Sequence, residues 1–104
     1  MSEFNSGEDT LTANKTRKKL KEPAFYKIIL LNDDFTPMDF VIDLICKFFS
    51  KSAEEATEIM LNIHHEGYGV CGIYPLDIAE TKMNQVNKFA RNNGHPLKCR
   101  IERN

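Results

Sequence analysis

Neither sign of charge dominates this chain. Its 104 residues carry 14 Lys and Arg against 15 Asp and Glu, a formal net charge of −1, so no overall field draws it toward nucleic acid or a membrane surface. Long apolar runs are missing too: none approaches the roughly 20 residues that cross a bilayer. The N-terminal MSEFNSGEDT is polar and acidic, the wrong composition for a secretory signal. Cysteine is scarce. Cys46, Cys71 and Cys99 are odd in number, widely spaced and form no C-x-x-C pair, which argues against a zinc site and more strongly against a disulfide framework. Three free thiols fit a reducing cytosol, so a cytoplasmic protein is expected. G-x-S-x-G, H-E-x-x-H and a phosphate loop do not occur, and the common enzyme templates find no match. Internal repeats and low-complexity tracts are absent as well.

What is present suits one small soluble globular domain: 41% hydrophobic and 28% charged residues. Residues 1–22 stand apart. Beyond Met1 they hold only three large apolar residues, Phe4, Leu11 and Leu20. Such a segment buries too little surface to offset its ordering entropy, and a disordered arm is expected. Its acidic residues come first (Glu3, Glu8, Asp9) and its basic ones follow (Lys15, Arg17, Lys18, Lys19, Lys21). Either a solvated tail or a tether for a partner fits that pattern.

The folded domain is expected over 23–104. AFYKIILL (24–31) is rich in β-formers and reads as a central strand, stopped by the turn residues NDD. Thr36 is placed to cap a helix, with Pro37 at its first position and Asp39 in its first turn. Val41, Leu44, Ile45, Phe48 and Phe49 then follow the spacing of a core-facing stripe. Ser52-x-x-Glu55 is a capping box for a second helix, whose apolar face is Ala56, Ile59, Met60 and Ile63 and whose stop is Gly67. YGVCGIY (68–74) predicts a strand weakened by its glycines. A third helix runs from Pro75 or Leu76 to Asn93, with Ala79, Met83, Val86 and Ala90 on one face and Gly94 behind it. PLKCRIE (96–102) alternates apolar with charged residues, the mark of a half-buried strand. The order β-α-α-β-α-β predicts an α+β domain: a three-stranded, mostly antiparallel sheet packed with three helices.

The chemistry concentrates at two places. Asp33 and Asp34 adjoin an apolar run, where a carboxylate needs a positive partner. Met60, Ile63 and His64 share one helical face. Alone, His64 reads as a histidine at the core edge, and Met38 and Val41 as ordinary packing. Together they suggest a pocket that is greasy inside and rimmed by hydrogen-bond acceptors. His64 and His65 project about 100° apart on a helix and cannot easily share one metal. Asp33, Asp34 and His64 would converge on a metal only if the fold brought them together. No catalytic residue, metal or cofactor is expected.

One stretch goes further. NDDFTPMDFV (32–41), followed by MLNIHHEG (60–67), CGIYPLDIAETK (71–82), VNKFAR (86–91) and HPLKC (95–99), resembles the ClpS family, bacterial adaptors that deliver N-degron substrates to the ClpA–ClpP protease. The likeness runs from about Pro23 to Ile101. It implies an adaptor that binds proteins beginning with Phe, Tyr, Trp or Leu. By the same likeness, Asn32, Asp33 and His64 fall on α-amino-binding positions, and Asp34 and Thr36 belong to their loop. Met38, Val41, Met60, Ile63 and Leu97 match positions lining the side-chain pocket, Met38 being the gate against β-branched residues. Lys82 is the best match for contact with the ClpA N-terminal domain, with Asp77 as the second candidate. Residues 1–22 resemble the family's N-terminal extension. Asp77 stands where some members carry Glu, and Ile63, where some carry Val, adds a methylene to the pocket wall. The expected partners are ClpA and N-degron polypeptides, with no nucleic acid and no membrane, and the expected state is a monomer.

Simple chemistry supports the pairing. An α-ammonium has three N–H donors and a positive charge. Asn32 offers an amide oxygen, Asp33 a carboxylate, and a neutral imidazole at His64 a ring nitrogen. Three alternatives remain open at this point. The same element order resembles the C-terminal domain of the ribosomal stalk protein, a non-catalytic interaction module without N-terminal recognition. A small metal-dependent hydrolase is another. The third, the related domain of eukaryotic ubiquitin ligases, is disfavoured because the chain ends just after the last strand.

Overall fold

A computed structural model describes residues 24–104. The expected arm, 1–22, and Pro23 lie outside the described residues. Six elements follow in the predicted order: β1 (Phe25–Leu31), α1 (Met38–Phe49), α2 (Ala53–Glu66), β2 (Tyr68–Pro75), α3 (Leu76–Asn92) and β3 (Lys98–Arg103). The sheet is antiparallel throughout, in the order β2-β1-β3. The most apolar strand therefore takes the central place, where both edges are paired.

Helix periodicity and burial agree. Val41, Leu44, Ile45 and Phe49 of α1 are buried, as are Ala56, Met60 and Ile63 of α2 and Ala79, Val86 and Ala90 of α3. They close over Ile28 and Leu30, the wholly buried residues of β1. Phe48, Ile59 and Met83 are half-buried at the margin of this core. Along the β3 segment Leu97 and Cys99 are buried while Lys98, Arg100 and Glu102 are exposed, as the alternation predicts.

Helix ends show where local signals held. Ser52 and Glu55 form the complete capping box: the Glu55 N–H donates to Ser52 Oγ at 3.1 Å and the Ser52 N–H donates to Glu55 Oε1 at 2.9 Å. Gly67 ends α2 with φ 90°, a left-handed conformation that costs side-chain-bearing residues roughly 1–2 kcal/mol. Gly94 ends α3 at φ 77°, with its N–H on the Arg91 carbonyl and the His95 N–H on the Ala90 carbonyl, both at 2.9 Å. That pair of bonds is a Schellman motif.

Helix α1 departs from expectation. It begins at Met38, behind Pro37 in an extended conformation, and no side chain caps it. The Thr36 hydroxyl donates instead to the Asp33 carboxylate. The carboxylate three residues upstream orients this hydroxyl, and its oxygen accepts no N–H of the helix.

Two long-range polar contacts tie α3 to the rest. The Lys82 ammonium donates to the Phe48 carbonyl at 2.8 Å and lies 5.2 Å from the Tyr74 ring centre. That carbonyl belongs to the last turn of α1, where no intrahelical partner exists. The Asn87 side chain accepts from the Cys99 N–H at 2.8 Å and donates to the Cys99 carbonyl at 3.0 Å. It thus pairs the outer edge of β3 as another strand would. Asn87→Ala leaves both groups half-buried without partners and is expected to lower stability by about 1–3 kcal/mol. The check is a lower urea midpoint at an unchanged m-value.

The sheet also carries a bulge. Ile28 pairs with Gly72 but Ile29 with Val70, so Cys71 is the extra residue. Its side chain enters the core. Burial pushes the Cys71 and Cys99 thiols up to about 12, so both remain protonated and pack as small apolar groups.

Candidate functional site

The loop between β1 and α1 is built around Asp33. Its Oδ1 accepts from the Phe35 and Thr36 N–H groups, both at 2.8 Å. The Thr36 hydroxyl sits 3.0 Å from Oδ1 and 2.8 Å from Oδ2. Partial burial pushes this carboxyl up, but the hydrogen bonds from Phe35 and Thr36 outweigh burial, and His95 adds a favourable charge. The net result lies below the ordinary value of 3.8, so Asp33 is a carboxylate throughout the neutral range. Oδ1 is saturated by the loop, and Oδ2 keeps open acceptor capacity.

One backbone bond joins this loop to α2. The Asn32 N–H donates to the Gly67 carbonyl at 2.9 Å, and the Gly67 N–H donates to the Ile63 carbonyl at 2.9 Å. The turn that stops α2 therefore holds the end of β1, which brings Asn32 to the helical turn carrying His64. Gly67 serves the site through its backbone.

Between these elements lies a cavity of ≈ 180 Å³. Asn32, Asp33, Asp34 and Thr36 line it from the loop, and His64 from the end of α2. Met38 and Val41 of α1, Met60 and Ile63 of α2, and Leu97 ahead of β3 complete the lining. All ten residues expected to form a pocket meet in this one hollow. Their burial divides by chemistry. Val41, Met60, Ile63 and Leu97 are buried and make an apolar interior. Asn32, Asp34 and His64 are exposed, with Asp33 and Thr36 half-buried, so the polar atoms form the rim. Met38 is 50% exposed and stands at the mouth.

Two participants escaped the sequence reading. Leu31 also lines the cavity, although strand alternation with the buried Ile28 and Leu30 sends it to the other face. His95 packs its ring 4.3 Å from that of Phe40 and bears on the Asp33 charge. It arrives from the far end of α3, and no local spacing joins it to the acidic loop.

Asp77 and Lys82 are not brought to this cavity. Asp77 is exposed in the first turn of α3, its carboxylate accepting from the Ile78 N–H at 2.9 Å. Lys82 is half-buried, its ammonium engaged on α1 as described. Asp33, Asp34 and His64 share the cavity, yet among the described residues no three His, Cys, Asp or Glu side chains are grouped as metal ligands. No helix among the described residues is long and apolar enough to cross a membrane.

Fold and cavity together define a small α+β domain with an amphipathic hole, apolar inside and acidic at the rim. Known proteins place that domain. A family model described as ATP-dependent Clp protease adaptor protein ClpS matches residues 21–100. The ATP-dependent Clp protease adapter protein ClpS of Shewanella pealeana is 63% identical over 84 residues, covering 81% of this chain and 82% of the relative. That of Nitrosospira multiformis is 55% identical over 104 residues, the whole of both chains. The solved structure of Agrobacterium tumefaciens ClpS2 bound to L-phenylalaninamide superposes with a TM-score of 0.78 at 34% identity, covering 80% of this chain and all of that one. The chain belongs to the ClpS family of Clp protease adaptors, as its NDDFTPMDFV stretch suggested.

Proposed function

We propose that this protein captures polypeptides by a free N-terminal Phe, Tyr, Trp or Leu and delivers them to the ClpA ATPase of the ClpA–ClpP protease. The observation that carries the reading is the joining of Asn32, Asp33 and His64 with Val41, Met60, Ile63 and Leu97 around one cavity. The rim supplies acceptors and negative charge to an α-ammonium, and the interior takes the first side chain. L-phenylalaninamide, the ligand of the Agrobacterium relative, has the chemistry of a polypeptide's first residue: a free amine, a bulky apolar side chain and an amide. Size agrees as well. An engineered apolar cavity of about 150 Å³ takes up benzene, so a hollow of ≈ 180 Å³ has room for an aromatic ring.

The magnitudes point to modest affinity. Two or three charge-assisted hydrogen bonds contribute roughly 1.5–3 kcal/mol each, and burying one Phe or Leu side chain roughly 1.5–3 kcal/mol. Lost translational and rotational freedom offsets much of this. A micromolar Kd, about −8 kcal/mol, is the tightest expected for so small a ligand. No bond chemistry is required of any residue, and the ATPase partner supplies the work.

The test is a fluorescence titration with peptides beginning with each of the twenty amino acids. Saturable binding of Phe, Tyr, Trp and Leu peptides, and of no others at comparable concentration, supports the reading. Indifference to the first residue refutes it and leaves the stalk-like interaction module.

For the ClpA contact, Asp77 is the sharper probe. It is exposed and has no role in the cavity, whereas replacing Lys82 also removes the Phe48 contact. Asp77→Lys is expected to weaken binding to the ClpA N-terminal domain at least tenfold while peptide affinity stays within about twofold; co-sedimentation and peptide titration on one sample check both. The segment 1–22 acts with this surface in delivery, as a polar tether ahead of the 23–104 core.

A further inference from the structure

Gly69 does not line the cavity, yet its geometry bears on the cavity's width. A Cβ built on Gly69 would stand 2.7 Å from Ile63 Cγ1, 3.2 Å from the Ile59 carbonyl oxygen and 3.4 Å from Ile59 Cγ2. Gly69 is not among the residues of positive φ, so its backbone conformation is open to any amino acid. Glycine occupies this position for space.

Ile63 lies between the two. It is 3% exposed and forms part of the cavity wall, while its Cγ1 reaches over the bare backbone of β2. We propose that Gly69 is a specificity-determining position: by lacking a side chain it lets Ile63 lean onto β2, and so keeps the cavity wide enough for an aromatic ring.

The strand cannot yield easily. Gly69 pairs with Leu30 one step inside the end of the β1–β2 ladder, with Leu31–Tyr68 beyond it and Ile29–Val70 behind it, and Leu30 is wholly buried. Helix α2 is held at both ends, by its capping box and by the bond from Asn32 to Gly67. A methyl at position 69 therefore displaces the least constrained group in contact with it, the Ile63 side chain, and the open direction is the cavity. Large planar side chains lose room first, Leu last. The three atoms nearest the added methyl belong to Ile63 and Ile59 and none to Asn32, Asp33 or His64, so recognition of the amine persists.

The inference rests on the peptide-binding reading, and the experiment separates the two. Gly69→Ala, Ile63→Ala and the double variant are titrated with Phe- and Leu-initiated peptides, with thermal unfolding recorded for each. In Gly69→Ala the preference for Phe over Leu is expected to shift at least tenfold toward Leu. In the Ile63→Ala background the same Gly69→Ala change is expected to shift it less than threefold, because the contacted side chain is gone. An unchanged preference in folded Gly69→Ala, or equal shifts in both backgrounds, overturns the proposal. If Gly69→Ala alone does not fold, Ile63→Ala must restore folding; a double variant that stays unfolded overturns it equally. Unfolding temperatures give the coupling without any ligand. A wild-type protein that ignores free-amine Phe-peptides refutes the peptide-binding reading, whereas loss of the stability coupling refutes the role of Gly69.

Discussion

A Phe-initiated peptide carrying an N-acetyl group is expected to bind at least ~100-fold more weakly than the same peptide with a free amine. Acetylation removes the positive charge and two of three N–H donors, and leaves the aromatic side chain untouched. At the rim, Oδ2 of Asp33, the Asn32 amide and the His64 ring then face a neutral amide that cannot satisfy them. Two lost charge-assisted bonds at roughly 1.5–3 kcal/mol each amount to two decades or more, since each 1.4 kcal/mol is about tenfold. Paired titrations at one ionic strength provide the measurement. Equal affinities would sink the amine-binding rim while leaving the apolar interior intact.

The pH dependence of that binding can be assigned by sign. The folded carboxyl of Asp33 lies below 3.8. Its stabilising contribution is therefore complete above that value and is lost only as the pH falls through the lower folded value. Asp33 is thus fully ionised at neutrality and is not the first acceptor lost on acidification. The acceptor at risk is an imidazole, because a protonated ring donates from both nitrogens and accepts at neither. Affinity is expected to fall on the acid side through His64 and on the alkaline side through neutralisation of the peptide amine, which ordinarily titrates near ~7.7–8.0. His64→Gln keeps an acceptor that does not titrate and is expected to flatten the acid limb. An acid limb of unchanged steepness in that variant transfers the effect to His95, the other imidazole near Asp33.

The elements were legible in short-range regularities, whereas the pocket positions came from the likeness of NDDFTPMDFV and the later motifs to the ClpS family, and the cavity that joins them appears only in the fold. Hydrophobic spacing located the three helices, and Ser52, Glu55, Gly67 and Gly94 marked helix ends with residues suited to those places. The six-element order follows from these marks. What escaped reading was the destination of polar side chains. Thr36 has the right identity for a helix cap, but its hydroxyl turns back to Asp33, and spacing alone does not tell whether it will accept from the helix or donate to the carboxylate. Lys82 reaches Phe48, 34 positions away, and Asn87 pairs with Cys99; neither contact leaves a local trace. The Cys71 bulge appears only as a register shift between two strands. The glycines of β2 read as weakness in a strand, whereas at Gly69 the missing side chain makes room for a neighbouring helix.

Met38→Ala is expected to admit peptides beginning with Ile or Val, at least ~10-fold more tightly than the unaltered protein does. Phe, Tyr, Trp and Leu share one feature: the Cβ carries a single heavy-atom branch. Ile and Val carry two, which fixes a broad, stiff shape right beside the α-carbon. With the amine held at the rim by Asn32, Asp33 and His64, the ligand Cβ must pass the mouth of the cavity. Met38 lines that mouth as the first residue of α1, backed by Pro37. An extra methyl forced against a packed wall costs typically 1–3 kcal/mol, which is about 5- to 150-fold at roughly 1.4 kcal/mol per decade. Alanine removes the obstructing chain and is a good helix former, so α1 persists. Affinity for Phe is expected to change less than about fivefold, because the substitution leaves the buried interior of Met60, Ile63 and Leu97, which its ring would occupy, unaltered. Met38→Leu, close in volume, is expected to keep the exclusion. Ile and Val peptides that stay excluded from an alanine variant still able to bind Phe would move the gate away from Met38, and the remaining obstruction would then lie in the buried walls.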